Sequence, residues 1–505
     1  MTAEDGGRTF CLDEDRAASD TADNGEPDIK KHLALIASAL LVATLGIVQS
    51  GADPSQASVP RASDATPADA AAPIDRPDPS RIRYIPGRTW QGETLFGNKN
   101  DWEPDVAADP LAPYVYVATT RYGADNAACK KCPHPAQVSK ASSDNGATWG
   151  PPTYMCVCRG IGWQADPQLE VATDGTVYGL ILQGSGGHGW VEVEVKSTDH
   201  GASWGPPVNT TPHLRATIDQ RSADHGFLTI SPDGKDQYVA FEGRRNWVVA
   251  SHDYGATWET PVETSLPGDP LRRWYYDFTG AVTAGGIVNI STSTVSSKPY
   301  AAHRVVYLDL RSADKGATWT RTRLASYKRQ PECVSEGCPD DHLGAQTNLA
   351  ADEAGNLVQV FAGSTIKANG QAIYSSTSSD GGLTWSAPKL LSPMTVGSRR
   401  VVASFPAITG GAAGDFRMWW MDDRKGVNAW NVWYTETSDG SATWSKDARI
   451  SDAISGPDYV NARGFLADYG DYGGIDIMSD GKTIAAWGEA YSYDGPGGVW
   501  INRSP

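Results

Sequence analysis

Short runs in which apolar and polar residues alternate recur along most of the chain, and they predict β-strands. Clear cases are Pro113–Thr120 (PYVYVATT), Val191–Ser197 (VEVEVKS) and Leu357–Gly363 (LVQVFAG). A period of two places successive side chains on opposite faces of a strand, and Val, Tyr, Trp and Thr are residues that favour strands. Glycine- and proline-containing segments separate the runs. The pattern therefore predicts an all-β protein built from many short strands.

An eight-residue motif, Ser/Thr-x-Asp-x-Gly-x-Ser/Thr-Trp, follows six of these runs. Its aspartates are about 59 residues apart, a period typical of repeat folds; they are Asp144, Asp199, Asp253, Asp314, Asp380 and Asp439. The carboxylate can accept bonds from nearby backbone N–H groups, glycine permits a positive φ, and tryptophan offers a large apolar face to a neighbouring unit. We interpret each copy as a structural turn after a strand. The sixth copy has Ser441 in place of glycine.

Two more strand-like runs precede each motif, and this pair of runs occurs seven times. The last unit ends at Gly498–Ser504 (GVWINRS) without a motif. The run Thr89–Phe96 (TWQGETLF) can supply its missing outer strand, which is how a β-propeller closes its ring. We therefore predict a seven-bladed β-propeller over residues 82–505, with about 60 residues in each blade. A six-bladed ring is the alternative and needs about 70 residues in each blade.

The repeated motif resembles the Asp box, or BNR repeat, of the sialidase-like β-propeller superfamily. The resemblance covers roughly residues 82–505. It implies the propeller fold with motif turns between the third and fourth strands of each blade. It does not imply one activity, because similar repeats occur in sialidases, other glycoside hydrolases, polysaccharide lyases and non-catalytic receptors.

The segment before the repeats indicates export. Leu33–Val48 is a continuous apolar run after two lysines, which is typical of an export signal or an uncleaved signal-anchor. Residues 1–52 form this N-terminal part and residues 53–81 an Ala- and Pro-rich linker. We predict a secreted or membrane-anchored extracellular protein that contacts a membrane only through this segment if it is uncleaved. The net charge of −17 argues against sequence-independent nucleic-acid binding, which depends on Lys and Arg.

The cysteine count agrees with an oxidising compartment. Six cysteines follow the apolar segment and are the disulfide candidates: Cys129, Cys132, Cys156, Cys158, Cys333 and Cys338. Cys333 and Cys338 are five residues apart and are expected to pair. We expect two disulfides among the other four, with the pairing left open, and a four-thiolate zinc site is the alternative.

The working face is expected opposite the motif turns, where the loops that lead into each inner strand surround the axis. Acidic residues recur in these loops, and Asp101, Asp166, Asp224 and Asp471 are candidate ligand-binding residues. They could cap local backbone groups, bind sugar hydroxyls or hold Ca²⁺. No cofactor is expected to be required, and Ca²⁺ is the one candidate. Arg121, Arg244 and Arg424 join them as candidates because a guanidinium binds a carboxylate in two contacts.

A sialidase resemblance implies three arginines on the substrate carboxylate, a tyrosine nucleophile activated by glutamate, and an aspartate acid/base. Glu242, Tyr276 and Asp277 are the candidate catalytic residues here. The run Arg83–Pro86 (RYIP) departs from the sialidase Arg-Ile-Pro motif, because Tyr84 separates arginine from isoleucine. We predict an exo-acting glycoside hydrolase on extracellular glycans; the alternative is a non-catalytic propeller that binds glycan or protein. In the binding role Trp163, Trp190 and Trp430 could stack on sugars, and the alternative is that they pack between blades.

Overall fold

The computed structural model describes residues 83–85, 90, 92–97, 101–122, 129–185, 188–212, 224–242, 245–268, 273–283, 285–296, 304–327, 343–364, 370–427, 429–451, 460–461, 463–493, 495 and 497–505. All of them belong to one compact unit, Asp69–Pro505. The predicted export segment, the linker, Cys333 and Cys338 lie outside the described residues. The described residues form strands, turns and loops and contain no α-helix.

Two short strands, β1 (Arg83–Ile85) and β2 (Thr94–Leu95), precede the first blade. The first three blades are antiparallel sheets whose strands follow chain order. Blade 1 consists of β3 (Asp101–Ala108), β4 (Val115–Arg121), β5 (Ala136–Ser142) and β6 (Thr153–Tyr154). Blade 2 consists of β7 (Trp163–Val171), β8 (Val177–Ser185), β9 (His188–Ser197) and β10 (Val208–Asn209). Blade 3 consists of β11 (Asp224–Ile230), β12 (Gln237–Glu242), β13 (Asn246–Ser251) and β14 (Val262–Glu263).

The fourth and fifth blades repeat this arrangement. Blade 4 consists of β15 (Arg273–Val282), β16 (Val288–Ser296), β17 (Val305–Ser312) and β18 (Thr320–Tyr327). Blade 5 consists of β19 (Thr347–Ala351), β20 (Leu357–Ser364), β21 (Gln371–Ser378) and β22 (Lys389–Leu390). A two-stranded hairpin, β23 (Thr395–Val396) with β24 (Arg399–Arg400), follows blade 5.

The last two blades each carry an irregular feature. Blade 6 consists of β25 (Ala403–Gly410), β26 (Phe416–Asp422), β27 (Asn431–Thr437) and β29 (Ala448–Arg449), while β28 (Thr443–Ser445) pairs with β1. The hairpin of β30 (Val460–Asn461) and β31 (Gly464–Phe465) follows it. Blade 7 has an interrupted inner strand, β32 (Ala467–Asp468) and β33 (Gly474–Ile477), beside β34 (Thr483–Ala490) and β35 (Gly497–Arg503).

The ring closes through the N-terminal strand. Strand β2 supplies the outer strand of blade 7 and pairs with β35, with Thr94 opposite Ile501 and Leu95 opposite Trp500. The backbone N–H of Phe96 donates to the carbonyl of Val499 at 2.8 Å. The seven-bladed fold and its closure by Thr89–Phe96 are therefore confirmed. The run Arg83–Pro86 lies elsewhere, because its first three residues pair with β28, which includes the last two residues of the motif of blade 6.

Each motif copy is a turn between the third and fourth strands of its blade. In the first copy, Asp144 accepts bonds from the Ser142 hydroxyl at 2.8 Å and from the backbone N–H of Thr148 at 2.8 Å. The other five copies repeat both bonds. All six turns lie on the same face of the ring, which we call the lower face. The upper face is the opposite one, where the inner strands begin.

The glycine position of the motif requires a left-handed backbone. Gly146 has φ of 72° and Gly382 has φ of 83°, and Ser441 adopts φ of 74° in the copy that lacks glycine. The hydroxyl of Ser441 accepts a 3.0 Å bond from the Trp444 indole N–H. A β-carbon at Gly382 would lie 2.0 Å from Oδ1 of Asn289 in the preceding blade. Glycine therefore allows the turn to approach its neighbour.

The motif tryptophans pack against the preceding blade, as predicted. Trp258 lies in a core cluster with Leu180 of blade 2, and Trp319 lies in one with Tyr238 of blade 3. The indole N–H of Trp204 donates to Ser139 of blade 1 at 3.1 Å. The hydrophobic core is therefore divided into clusters between neighbouring blades rather than gathered in one centre.

Side chains near the axis join several inner strands to the next one. Asp476 of blade 7 accepts the backbone N–H of Ala108 in blade 1 at 2.7 Å. Asp105 of blade 1 accepts the backbone N–H of Leu169 in blade 2 at 2.7 Å. In blade 4, Thr279 accepts the backbone N–H of Leu349 from blade 5 at 2.9 Å. These bonds satisfy inner-edge N–H groups that have no strand partner on the axial side.

We expect Gly382→Ala to lower the free energy of unfolding by about 2–4 kcal/mol, since a left-handed alanine costs about 1 kcal/mol and the clash adds to it. Gly440→Ala is the matched control. It has φ of 68° in the sixth motif, but its β-carbon would meet no atom within 4 Å. It is expected to cost about 1 kcal/mol. Urea unfolding of both variants measures the difference, and equal losses would show that the contact with Asn289 is unimportant.

The axial carboxyl groups should make stability depend on pH. Burial raises the pKa of Asp105 from 3.8 to about 7, against the opposing effect of its bonds from Leu169 and Val106. Burial also raises the pKa of Asp476 to about 6. The folded protein thus holds these protons more tightly than the unfolded chain. Their contribution to stability is therefore fully present below about pH 4 and is lost as the pH rises towards 7.

Replacing Asp105 by Asn removes one of these titrations. The lost or altered hydrogen bond changes the free energy of unfolding by an amount that does not depend on pH. The lost titration does depend on pH, so the difference in free energy of unfolding between variant and wild type should shift by about 1–3 kcal/mol in favour of the variant from pH 5 to pH 8. Thermal or urea unfolding across that range measures it. Curves that stay parallel would show that Asp105 has the same pKa in the folded and unfolded states.

Candidate functional site

Irregular backbone at the upper ends of the inner strands turns side chains out of the regular ladder. A β-bulge interrupts the inner-strand pairing between Trp102 and Asp105 in blade 1 and between Ala165 and Gln168 in blade 2. Glu103 and Asp166 occupy these bulges in the left-handed region, with φ of 53° and 52°. Bulges re-aim side chains and are frequent beside functional sites. Phe405 of blade 6 has the same backbone at φ of 53°, so the bulge belongs to the fold and the carboxylates are particular to blades 1 and 2.

A third carboxylate joins them from blade 7, in the gap between β32 and β33. Asp471 follows Gly470, which has φ of 99° and packs so closely on blade 1 that a β-carbon there would lie 2.9 Å from Cγ of Glu103. Three consecutive blades, 7, 1 and 2, thus each contribute one carboxylate. Together with three nearby tyrosines they form what we call the axial cluster: Glu103, Asp166, Asp471, Tyr122, Tyr472 and Tyr493.

Aromatic rings close the channel beside the cluster. Tyr472 of blade 7 contacts Phe227 of blade 3, with ring centroids 5.5 Å apart, although two blades separate them along the ring. Phe227 in turn contacts Phe278 of blade 4 at 5.4 Å. Trp102 contacts Tyr122 at 5.6 Å and Tyr493 at 5.8 Å. Among the described residues, aromatic rings from blades 7, 3 and 4 therefore meet across the axis at this level.

The carboxylates and the burial of the rings keep the phenols protonated. Burial raises the pKa of Tyr122 well above its usual value, and the charges of Glu103, Asp166 and Asp471 raise it further. The pKa of Tyr472 is raised by burial and then by the same three carboxylates together with Asp105. The pKa of Tyr493 is raised by burial first and then by the charges of Asp471, Glu103 and Asp468. At neutral pH these groups are hydrogen-bond donors rather than phenolates.

Two of the predicted ligand residues pair with each other. Asp101 and Arg121 face each other across β3 and β4 on the upper face, and the Arg121 guanidinium donates to both Asp101 oxygens at 2.7 and 2.9 Å. The side chains are 0% and 5% exposed. This geometry supports the blade; a role of either residue in ligand binding stays a prediction.

Arg424 is also held within its own blade. Its guanidinium donates to Asp422 at 2.6 and 2.9 Å and forms an ion pair with Asp447. It lies 3.8 Å from the ring centroid of Trp433. Like Arg121, it is engaged by acidic partners of the protein, and its predicted contact with a ligand is untested.

The predicted catalytic residues lie on the upper face, between blades 3 and 4. Asp277 is fully buried and accepts a 3.0 Å bond from Nδ2 of Asn246 in blade 3. Asn246 is the strand partner of Glu242, so one asparagine neighbours both acids. Tyr276 packs with Phe227, Phe278 and Tyr472. The trio therefore borders the aromatic closure rather than the three carboxylates, and its catalytic role stays a prediction.

The recurring acidic residues are not equivalent in the ring. Asp166 lies within a bulge, whereas Asp224 and Asp277 are the last paired residues before one. Asp101 lies one residue before the last paired residue of its strand. Asp224 begins β11 opposite Glu242. Arg244 lies outside the described residues. One residue of displacement changes the direction of a side chain, so these acids do not all face the same way.

The sequence interpretation missed Glu103, Tyr122 and Tyr493. A signal for the first was present, because Glu103-Pro104, Asp166-Pro167 and Phe405-Pro406 recur at corresponding points of three blades. Proline lacks the N–H that a strand ladder needs and is confined to edges and bulges. The repeated dipeptide therefore marked the bulge that sets the direction of the carboxylates.

The cysteine loops contain two local disulfides, Cys129–Cys132 and Cys156–Cys158. Each closes a short ring within its own loop and does not join the two loops. The thiols that a zinc site would need are thus paired. Among the described residues, no group of three or more His, Cys, Asp or Glu side chains has a metal-holding arrangement. The same residues include no helix long and apolar enough to cross a membrane.

Comparison with known proteins gives only remote structural similarities. No family model matches the chain, and no curated protein matches it. A protein of unknown function from Dyadobacter fermentans is 15% identical with a TM-score of 0.45, covering 83% of this chain and 99% of its own. An ulvan lyase is 13% identical with a TM-score of 0.45, covering 80% and 94%. A Hadza microbial sialidase is 11% identical with a TM-score of 0.41, covering 84% and 98%.

Replacing Asp101 by Ala should unfold the protein more easily by about 3–5 kcal/mol, because it leaves the Arg121 guanidinium buried without its carboxylate. Urea unfolding measures the loss. Asp480→Ala is the control, since Asp480 is an exposed acid in a lower-face turn and should change stability by about 0.5 kcal/mol or less. A loss as small as that of the control would show that the Asp101–Arg121 pair does not support blade 1.

Proposed function

We propose that the protein is an exo-acting glycoside hydrolase of the sialidase-like propeller superfamily that cleaves a neutral sugar from extracellular glycans. The observation that supports this most is the axial cluster, where two carboxylates in left-handed bulges of neighbouring inner strands lie beside buried tyrosines. Glycoside hydrolysis commonly uses one carboxyl group as proton donor and a second as base or nucleophile. We assign the donor role to Glu103, which is 3% exposed, and the second role to Asp166.

The charge of the site favours a neutral sugar over an acidic one. Besides the proton donor Glu103, the axial cluster contributes the carboxylates of Asp166 and Asp471, while Arg121 and Arg424 are paired with Asp101 and Asp422. A sugar carboxylate placed among these acids would be repelled at short range, since like charges in a poorly solvated site interact strongly. This is the reason to expect arabinosides, galactosides or glucosides as substrates before sialosides.

The protonated tyrosines favour carboxylate chemistry over a tyrosine nucleophile. A phenol whose pKa is raised by burial and by adjacent carboxylates gives up its proton less readily. Tyr122 and Tyr472 are therefore proposed to donate hydrogen bonds to the sugar. The contact between Tyr472 and Phe227 blocks passage along the axis, which favours a pocket that accepts the end of a glycan.

The alternative function is glycan binding without catalysis, acting at the cell surface. The observation that favours it is a pair of partly exposed tryptophans on the upper face, Trp163 and Trp190. Trp430 is 2% exposed within the core of blades 6 and 7 and is not available for stacking on a sugar. Both functions place the protein outside the cell, as the apolar segment Leu33–Val48 suggests.

The test is release of a chromophore from aryl glycosides of neutral sugars, uronic acids and sialic acid by the full chain. We expect release from one neutral class. Glu103→Gln and Asp166→Asn should each reduce kcat/KM at least about 100-fold, the usual size of acid–base catalysis. Tyr472→Phe, which retains the ring, should cause a smaller loss.

Glu353→Gln is the matched control, because Glu353 is exposed in a lower-face turn and should leave activity unchanged. Ca²⁺ and a chelator are tested in parallel. Full activity in Glu103→Gln and Asp166→Asn would reject these residues, and Glu242→Gln with Asp277→Asn would then test the other candidates. The absence of release from every substrate, together with retention on a glycan, would favour the binding function.

A further inference from the structure

Two tryptophans of blade 2 form an open corner on the upper face. The ring centroids of Trp163 and Trp190 are 5.3 Å apart and their planes are at 89°. Each side chain is neither buried nor fully exposed. The two rings therefore present perpendicular apolar surfaces that are partly open to solvent instead of filling a core. None of the core clusters in the described part of the chain includes either residue.

The backbone holds this corner in place. Trp163 is opposite Gly184 in the β7–β8 ladder, and a β-carbon at Gly184 would lie 2.7 Å from Cζ2, 2.9 Å from Cε2 and 3.1 Å from Nε1 of Trp163. Three ring atoms so close to one point mean that the indole lies flat on the glycine. One face of the ring is thus supported by the strand, which fixes its orientation.

Backbone hydrogen bonds join the residues on either side of Trp163 to the loop between β4 and β5. The backbone N–H of His134 donates to the Gly162 carbonyl at 3.0 Å, and the backbone N–H of Gln164 donates to the Pro135 carbonyl at 2.9 Å. The Cys129–Cys132 disulfide lies in that loop, and the Cys156–Cys158 disulfide lies in the loop before Trp163. An aromatic surface that is ordered before binding loses little conformational entropy when a ligand arrives.

We propose that Trp163 and Trp190 form a subsite that stacks on a pyranose ring of the glycan chain whose terminal sugar occupies the axial cluster. This subsite rests on the proposed function, because that function places the terminal sugar in the axial cluster. Trp163 and Asp166 are three residues apart on β7, so the corner and the cluster are on one strand and one face. The C–H face of a sugar is apolar and its rim is polar, which suits the flat face and the indole N–H of tryptophan.

The corner favours a carbohydrate over a protein partner because of its composition. It offers two aromatic surfaces at a right angle, and the bulge at Asp166 provides a hydrogen-bond acceptor nearby for hydroxyl groups. A protein interface of ordinary stability would need a contact area of about 800 Å² on each partner, far more than two partly exposed rings provide. A single sugar ring matches the size of one indole.

The test measures binding separately from hydrolysis. The full chain is run by affinity electrophoresis through gels containing soluble dextran, arabinan, galactan or polygalacturonate. We expect retardation of the wild type by a neutral polysaccharide, and at least about tenfold weaker binding in Trp163→Ala and Trp190→Ala, which is the loss of about 1.4 kcal/mol of stacking. Gly184→Ala should also weaken binding, because it displaces the Trp163 ring.

Trp247→Ala is the matched control, since Trp247 is a partly buried tryptophan of blade 3 that packs in a core cluster. Its binding should be retained once folding is verified by circular dichroism. Equal binding by the wild type and both corner variants, or no retardation of the wild type in any gel, overturns the subsite. Weak binding by Trp163→Ala with unchanged hydrolysis of an aryl monosaccharide supports it.

The two proposals fail in different ways. If Glu103→Gln leaves hydrolysis intact or no hydrolysis exists, the proposed function fails, yet loss of retardation in the corner variants still supports the subsite. If Glu103→Gln abolishes hydrolysis while the corner variants bind and cleave oligosaccharides as the wild type does, the subsite fails and the function stands. A higher KM for an oligosaccharide with an unchanged KM for an aryl monosaccharide supports both.

Discussion

The unpaired inner edge of every blade is the constraint on which the rest of the structure depends. An innermost strand has hydrogen-bonding groups that face the axis, and those groups need partners. Asp105, Asp476 and Thr279 provide them for the neighbouring blade. A polar side chain must therefore stand close to the axis wherever two inner strands meet. The carboxyl groups of Asp105 and Asp476 therefore have a structural role that does not depend on any ligand.

The same requirement explains why acidic residues near the axis are ambiguous in sequence. Asp105 binds a neighbouring backbone, whereas Glu103, two residues earlier, lies in a bulge beside the phenol of Tyr122. Both are acids on one strand, and only the backbone conformation separates them. The distinction comes from the left-handed φ of Glu103, which alternation of hydrophobic and polar residues does not encode.

Much of the fold was accessible from the sequence because it repeats. The motif aspartates, their glycines and their tryptophans act within eight residues or on the adjacent blade, so their spacing carries the information. The closing strand was accessible because the last unit lacked a partner. The pairing of Arg121 with Asp101 depends on where two strand ends meet, and no local pattern reports that. The disulfides are local, within each loop, although the cysteine spacing alone left their pairing open. Of the axial cluster, Asp166 and Asp471 were candidates from the sequence, whereas Glu103, Tyr122 and Tyr493 were not.

The closing pair of β2 and β35 also has a consequence for biosynthesis. Strand β2 is synthesised before all seven inner strands, but its partner begins at Gly497, about 400 residues later. During that interval β2 has no partner, and the outer side of the ring stays open however well the earlier blades have formed. The seventh blade is therefore assembled only after synthesis of nearly the whole chain. The chain is therefore an open arc for most of its synthesis and becomes a closed ring only in the final step.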